Sequence, residues 1–132
     1  MKKYAAIQKP GTKGFEEVCP AFMTLGLIAN KWSLKILYVL GHAERHTLRF
    51  GQIQKALDNI TQRELTKHLR EFEKSGFVDR VVFPQVPPRV EYTLTKLGHS
   101  LQKPVEELSL WAEKNAAIVQ RNRAKFDAKK SS

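Results

Sequence analysis

The sequence predicts a mainly α-helical domain with one small β-hairpin, an α+β fold class. Apolar residues recur at helical spacing through much of residues 15–76 and again after Thr95. Between these helical regions, residues 77–94 alternate apolar and polar side chains on either side of a proline-rich loop, which is the pattern of two strands joined by a turn. A chain of 132 residues suits one such domain with appended helices.

The composition, with 42% hydrophobic and 27% charged residues, is that of a globular protein. No apolar run reaches the roughly 18 residues that a membrane-spanning helix needs, and the lysine-rich start lacks the apolar core of an export signal. Cys19 is the single cysteine, so no disulfide can form within the chain, which fits a reducing compartment. We therefore expect a cytoplasmic protein without a membrane partner.

The net charge of +10 suggests a polyanionic partner, but the charge is concentrated at the two ends of the chain. Residues 1–14 hold four lysines and no acid, and residues 93–132 hold eight basic and four acidic side chains. Basic tails make phosphate contacts that carry no sequence information. We expect a flexible basic arm over residues 1–14, a folded domain over 15–119 and a disordered basic tail over 120–132.

Three helices are predicted before residue 60. The first begins near Phe15 and is apolar over so much of its surface that it needs more than one packing neighbour. The second covers residues 33–40, with Trp32 at its entry, where a core anchor is favoured over a stacking platform for a ligand. After a turn, residues 47–49 fit a very short strand, and the third helix covers residues 50–58.

The stretch from Ile60 to Gly76 predicts an amphipathic helix with defined ends. Thr61 and Glu64 have the spacing of a capping box at its start, and Gly76 suits a left-handed end because it has no Cβ atom. The face predicted to be buried carries three apolar residues, Leu65, Leu69 and Phe72. The opposite face carries five polar residues without a carboxylate among them: Gln62, Arg63, Thr66, Lys67 and Arg70.

These five side chains can donate hydrogen bonds to base edges or phosphates, and a threonine methyl group can contact thymine. Taken alone, the pattern fits an ordinary amphipathic surface helix better, because such helices are common. The preceding helix and the short turn change this preference, since together they form a helix-turn-helix arrangement. We therefore interpret the stretch as a DNA recognition helix.

The hairpin that follows is predicted to form a wing. Residues 77–83 are rich in valine and aromatic residues, residues 89–94 alternate polar and apolar side chains, and prolines stiffen the loop of residues 84–88. Arg89, beside the loop, fits a contact to a phosphate or a minor groove as well as it fits a solvated charge at the loop edge. A helix-turn-helix followed by such a hairpin is a winged helix-turn-helix.

Thr95 is placed to cap a final helix that has a long apolar face. That face carries Leu97, Leu101, Val105, Leu108, Trp111 and Ala112. Pro104 lies within the helix and must kink or restart it, because proline has no backbone N–H. The apolar face exceeds what so small a core can cover, which predicts a homodimer. We expect the chain to fray after Val119.

Short motifs spread along the chain match one known family. They are Cys19-Pro20, Lys31 to Leu34 with Ile36-Leu37, Arg49-Phe50, Leu65 to Leu69, Pro84, Val86 to Thr95, and Gly98. Together they resemble the HxlR-type winged-helix transcription regulators, distant relatives of the MarR type, over about residues 18–112. The run Val-Pro-Pro-Arg-Val-Glu-Tyr is the most specific of them. The chain departs from the family at Ala29-Asn30, where Gly-Gly usually precedes the lysine.

The resemblance implies a dimeric DNA-binding protein of bacteria that pairs through its first and last helices on a pseudo-palindromic operator, and we expect a repressor. It also implies that the cysteine at the position of Cys19 responds to oxidants or electrophiles, such as quinones and aldehydes, in several members. Cys19 precedes Pro20, and proline favours the first helical position. Cys19 is therefore expected at or next to the N-cap of the first helix, where the helix dipole stabilises a reactive thiolate. The alternative is a buried structural cysteine.

The chain has no glycine-rich phosphate loop and no nucleophile motif, so we expect neither an enzyme nor a cofactor. His42 and His46 are four residues apart but fall in a turn with no nearby cysteine and no acid except Glu44, so we expect no metal site. Two other functions stay open: a ligand-responsive regulator without thiol chemistry, and a winged-helix module that binds proteins instead of DNA.

Overall fold

The computed structural model describes residues 20–131, with the side chain of Ser131 excepted, and has the predicted α+β fold class. The helices are α1 (Pro20–Ile28), α2 (Lys31–His42), α3 (Phe50–Leu57), α4 (Gln62–Lys74), α5 (Lys96–Ser100) and α6 (Gln102–Ser131). The strands are β1 (Thr47–Arg49), β2 (Val78–Phe83) and β3 (Arg89–Leu94), and a 3₁₀ turn, Glu44–His46, precedes β1. The expected arm of residues 1–14, the helix start near Phe15 and Cys19 lie outside the described residues.

The predicted hairpin is part of a three-stranded antiparallel sheet with the strand order β1-β3-β2. The short strand predicted at residues 47–49 is confirmed, and it pairs with β3 so that Leu48 lies opposite Tyr92. On the other side of β3, Val78 lies opposite Leu94 and Phe83 opposite Arg89. One end of the hairpin, at Val78 and Leu94, therefore packs against the helices, and the other end carries the exposed loop of residues 84–88.

The hydrophobic core lies between α2, α3, α4 and the inner face of the sheet. Its most deeply buried apolar side chains are Ile36, Leu40, Ile53, Leu65, Leu69, Phe72 and Val78. The three apolar residues predicted for the inner face of α4 are all among them, which confirms the helical periodicity. Trp32 packs against this core from the outside, with the Nζ atoms of Lys31 and Lys35 4.6 and 5.0 Å from its ring centre.

Helix α2 begins two residues earlier than the predicted start at Ser33 and ends two residues after Leu40. The early start has a local cause, because the side-chain oxygen of Asn30 accepts a hydrogen bond from the Ser33 backbone N–H at 2.9 Å. Asn30 belongs to the pair at which the chain departs from the HxlR pattern. The departure therefore supplies an N-cap to α2.

The C-terminal helix differs from the prediction of a disordered tail over residues 120–132. Helix α6 continues without a break to Ser131, a length of 30 residues. Residues 113–131 contain neither glycine nor proline and are rich in alanine, lysine and arginine, which have high helix propensity. The predicted restart at Pro104 is confirmed, since α5 ends at Ser100 and Pro104 falls in the first turn of α6, where no N–H donor is needed.

Candidate nucleic-acid interface

Helix α4 presents its polar face outward, as the sequence predicts. Its start is fixed by Thr61, whose Oγ1 atom accepts a hydrogen bond from the Glu64 N–H at 3.0 Å. Its end is fixed by Gly76, whose φ of 81° is readily adopted only by a residue without a Cβ atom. All five polar residues predicted for recognition are exposed: Gln62, Arg63, Thr66, Lys67 and Arg70.

The turn between α3 and α4 is made by two residues with positive φ, Asp58 with φ 36° and Asn59 with φ 66°. Aspartate and asparagine adopt such conformations more easily than other residues with side chains. Ile60 then returns to the core and is 5% exposed. This tight turn gives α3 and α4 the short connection of a helix-turn-helix.

One open groove of about 630 Å³ runs along the outer face of α4. It is lined by Gln62, Arg63, Thr66, Lys67, Arg70 and Glu71. The structure therefore brings all five predicted residues together on one surface and adds a single carboxylate. Three of the five side chains are cations, so the groove favours an anionic ligand that can also accept directed hydrogen bonds.

His68 lies at the border between the polar and buried faces of α4. Its Nδ1 atom is 3.4 Å from the Oγ atom of Ser33, which is fully buried in α2. Partial burial lowers the pKa of His68, the neighbouring Lys67 lowers it further, and Glu64 opposes this effect. The neutral form of His68 is thus favoured at the contact between α4 and α2.

Arg89 lies beside the loop of the wing, at the first position of β3, and is held there by two neighbours. Its guanidinium carbon lies 4.2 Å from the ring centre of Phe83, the residue opposite it in the hairpin. Its Nε atom is 3.3 Å from a carboxylate oxygen of Glu91, although the two groups are not aligned as a hydrogen bond. The position thus differs from that of a freely solvated charge at the loop edge, one of the two expectations.

Two further clefts adjoin the wing and contain basic residues that the sequence reasoning missed. The first, of about 480 Å³, lies between the start of α3 and the wing, and Arg49 and Lys55 line it. The second, of about 370 Å³, lies between α4 and β2 and includes Arg80. A signal for Arg80 was available, because it lies two residues after the buried Val78 and so shares its face of the strand.

The predicted turn histidines have contacts within the chain. The Nδ1 atom of His42 lies 2.9 Å from the Tyr38 carbonyl oxygen, and the ring of His46 lies 4.8 Å from that of His99. Across residues 20–131, no cluster of three or more histidine, cysteine or acidic side chains has the arrangement of a metal site. In the same part of the chain, no helix has the length and apolar character needed to cross a bilayer.

Comparison with known proteins identifies the family. The model of the HxlR-like helix-turn-helix family matches residues 27–120. The HTH-type transcriptional regulator YybR of Bacillus subtilis is 38% identical over 109 residues, which cover 83% of this chain and 85% of YybR.

Solved structures agree with this assignment. The regulator ytfH from Salmonella typhimurium superposes with a TM-score of 0.74 at 34% identity, over 83% of this chain and 96% of ytfH. The redox regulator HypR, in its reduced form, superposes with a TM-score of 0.70 at 37% identity, over 78% of this chain and 99% of HypR. The chain therefore belongs to the HxlR-like helix-turn-helix family and is a DNA-binding transcriptional regulator with a winged-helix fold, not an enzyme.

Proposed function

We propose that this regulator binds a pseudo-palindromic operator as a homodimer and represses transcription, with α4 of each copy in a major groove. One observation carries the proposal: α4 buries its apolar face completely and exposes five hydrogen-bond donors along a single groove. The residues proposed to contact DNA are Gln62, Arg63, Thr66, Lys67 and Arg70 in α4 and Arg89 in the wing. Double-stranded DNA is the partner whose major groove accepts such a helix.

The chemistry of these side chains suggests different roles. An arginine can donate two hydrogen bonds to guanine and a glutamine can do the same with adenine, and each such pair contributes about 1–3 kcal/mol of discrimination between bases. Arg63 and Lys67 are one helical turn apart and therefore point in nearly the same direction. Arg89 is already engaged by Phe83 and Glu91, so we expect it to steady the wing and to contribute less to affinity.

The homodimer is supported by apolar surface that a single chain leaves uncovered. On α1 only Ile28 is buried, while Met23 and Leu25 are 56% and 47% exposed. On α6, Leu108 and Trp111 are 53% and 60% exposed. A second copy that covers these faces would hold two α4 helices at a fixed separation, which must be about 34 Å for successive major grooves.

The similarity to HypR, a redox regulator, favours a thiol switch as the mode of control. Cys19 directly precedes Pro20, the first residue of α1, and α1 carries part of the proposed dimer surface. Oxidation or alkylation of this thiol would displace α1 and change the separation of the two α4 helices. The alternative is a ligand-responsive regulator without thiol chemistry. Cys19→Ser distinguishes the two, because a thiol switch predicts that its DNA binding becomes insensitive to quinone and hypochlorite.

DNA reading by α4 is tested on an operator selected from a random duplex library. We expect Arg63→Ala and Lys67→Ala each to weaken operator binding about tenfold or more in a mobility-shift assay with competitor DNA. Lys96→Ala, which removes an exposed lysine of α5 outside the groove, is the matched control and should bind as the parent chain does. Unchanged affinity in both α4 variants would assign recognition to other residues. A promoter fusion measured with and without the regulator then separates repression from activation.

A further inference from the structure

We infer that the cleft between α4 and β2 is a phosphate-binding site for the DNA backbone, in which Arg80 and Arg70 hold one phosphate beside the recognition helix. This inference rests on the proposed operator binding and adds a contact that is not on α4 or at the tip of the wing. It is supported by the strand register, by the lining of the cleft and by the absence, within residues 20–131, of ion pairs that engage Arg70 or Arg80.

The register of the hairpin determines where Arg80 lies. Arg80 is opposite Tyr92, and Val78 is opposite Leu94. Directly opposed residues share one face of a sheet, as do residues two apart on one strand. Since Val78, Tyr92 and Leu94 are buried against the helices, Arg80 is on the helix-facing side. Arg80 is nevertheless exposed, so at this point the sheet extends beyond the core.

The lining of the cleft is suited to an anion. Arg70, Gln62 and Thr66 come from α4, Arg80 comes from β2, and Phe50 and Tyr92 complete the walls. Side chains with two guanidinium groups, an amide and two hydroxyl groups therefore line about 370 Å³, with Glu73 as the one acid. The three α4 residues also line the main groove, so the two spaces adjoin the same side chains of α4. A strand of DNA bordering the major groove that α4 enters would pass over this cleft.

The two arginines are free to bind a ligand. Within residues 20–131, neither Arg70 nor Arg80 has a carboxylate oxygen within 4.0 Å, whereas Arg89 does have one on Glu91. The fork of donors on a guanidinium group matches two oxygens of a phosphate. An arginine already paired with a carboxylate would have to give up that partner first. Arg80 therefore suits the backbone contact better than Arg89 does.

The salt dependence of binding tests the assignment. Each neutralised phosphate contributes a slope of about −0.9 to the plot of log affinity against log salt concentration. We expect Arg80→Gln to reduce the slope by about one phosphate and to weaken the operator and a scrambled duplex by the same factor, about tenfold. Arg80→Lys should keep most of the slope because it keeps the charge. Lys96→Gln, at the exposed lysine of α5 outside the groove, removes an equal charge and should change neither quantity.

A structural role for Arg80 has a different signature. If Arg80 only balances Glu73, the double variant Arg80→Gln/Glu73→Gln will recover the parent affinity and slope, and the inference is overturned. If Arg80 binds phosphate, the double variant will keep the reduced slope. Failure of the parent chain to bind the selected operator would refute the proposed function itself, and that outcome is read before any Arg80 variant is compared.

A second measurement leaves the protein unchanged and alters the DNA. Single neutral methylphosphonates are placed in turn along one operator half-site. We expect one position at which the substitution weakens the parent chain but has no effect on Arg80→Gln, because the variant has already lost that contact. If every position that weakens the parent chain weakens the variant by the same factor, Arg80 holds no phosphate.

Discussion

Helices α4 and α6 both expose much of their surface, but α4 exposes polar side chains whereas α6 also exposes large apolar ones. Helix α4 buries Leu65, Leu69 and Phe72 to within 1% exposure and presents polar donors outward. Helix α6 buries only Val105 among residues 102–130, and its exposed surface includes Leu108 and Trp111. The packing of α4 is complete within one chain. The apolar side chains of α6 are left exposed by the described part of the chain, as the proposed homodimer interface would require.

Substitutions on α6 and on α4 should differ in their effect on operator binding, because the two helices expose side chains of different chemistry. Covering a large apolar side chain contributes roughly 1.5–3 kcal/mol, and α1 and α6 together expose several such residues. A single DNA contact contributes about 1–3 kcal/mol. Loss of the proposed dimer would also remove one of the two proposed DNA-binding helices at once. Substitutions on α6 should therefore have larger effects on operator binding than single substitutions on α4.

The largest expected effect is that of Trp111→Asp. A charge at the centre of the exposed apolar face should make the chain monomeric at micromolar concentration, as measured by sedimentation equilibrium. Operator affinity should fall about 100-fold or more, because simultaneous binding of two half-sites is lost. Gln120→Asp is the matched control, since a residue nine positions further along lies on the opposite side of the helix. A dimeric Trp111→Asp variant with parent affinity would show that this face does not pair.

The next largest effect concerns the contact between α5 and the start of the hairpin, where Gly98 packs on Phe77. A Cβ atom at Gly98 would overlap the carbonyl oxygen of Phe77, which accepts a hydrogen bond from the Thr95 N–H at 3.0 Å. We expect Gly98→Ala to lower the free energy of unfolding by about 1–3 kcal/mol in urea titrations. Gly51→Ala is the control, because a Cβ atom there meets nothing within 4 Å.

Gly98→Ala also tests whether α4 and the C-terminal helices are mechanically connected. The Oγ1 atom of Thr95 donates a hydrogen bond to the carbonyl oxygen of Gly76, directly after α4. Residues 95–98 thus connect the end of α4 to the C-terminal helices. If Gly98→Ala destabilises the chain no more than Gly51→Ala does, the two regions are not mechanically joined at this point.

Most of α4 could be predicted from the sequence because its structure is determined locally and by one periodic face. Thr61 and Gly76 act within a few positions of the chain, and the three apolar residues recur at helical spacing. The helical tail of α6 was missed because its residues are held by propensity and bury nothing, so no apolar period marks them. Arg80 was missed because its place depends on the pairing of β2 with β3 and on where the core ends.

The smallest expected effect is the pH dependence caused by His68. Its pKa in the folded chain is below the usual value of 6.5, so below pH 6.5 the unfolded chain binds a proton more readily than the folded chain does. The free energy of unfolding should therefore fall as the pH is lowered through 6.5, until the folded form is protonated as well. Urea titrations at pH 7.5 and 5.5 measure this loss. His68→Gln should reduce this loss.

Protonation of His68 should act on DNA binding in the opposite direction. An added positive charge beside Lys67 on α4 strengthens attraction to phosphates, even as partial burial of the charged imidazole lowers the stability of the fold. Between pH 7.5 and 5.5, affinity for a scrambled duplex should therefore rise more in the parent chain than in His68→Gln, while stability falls more. If affinity for the duplex and stability change equally in the parent chain and in His68→Gln, protonation of His68 affects neither quantity, and the prediction is wrong.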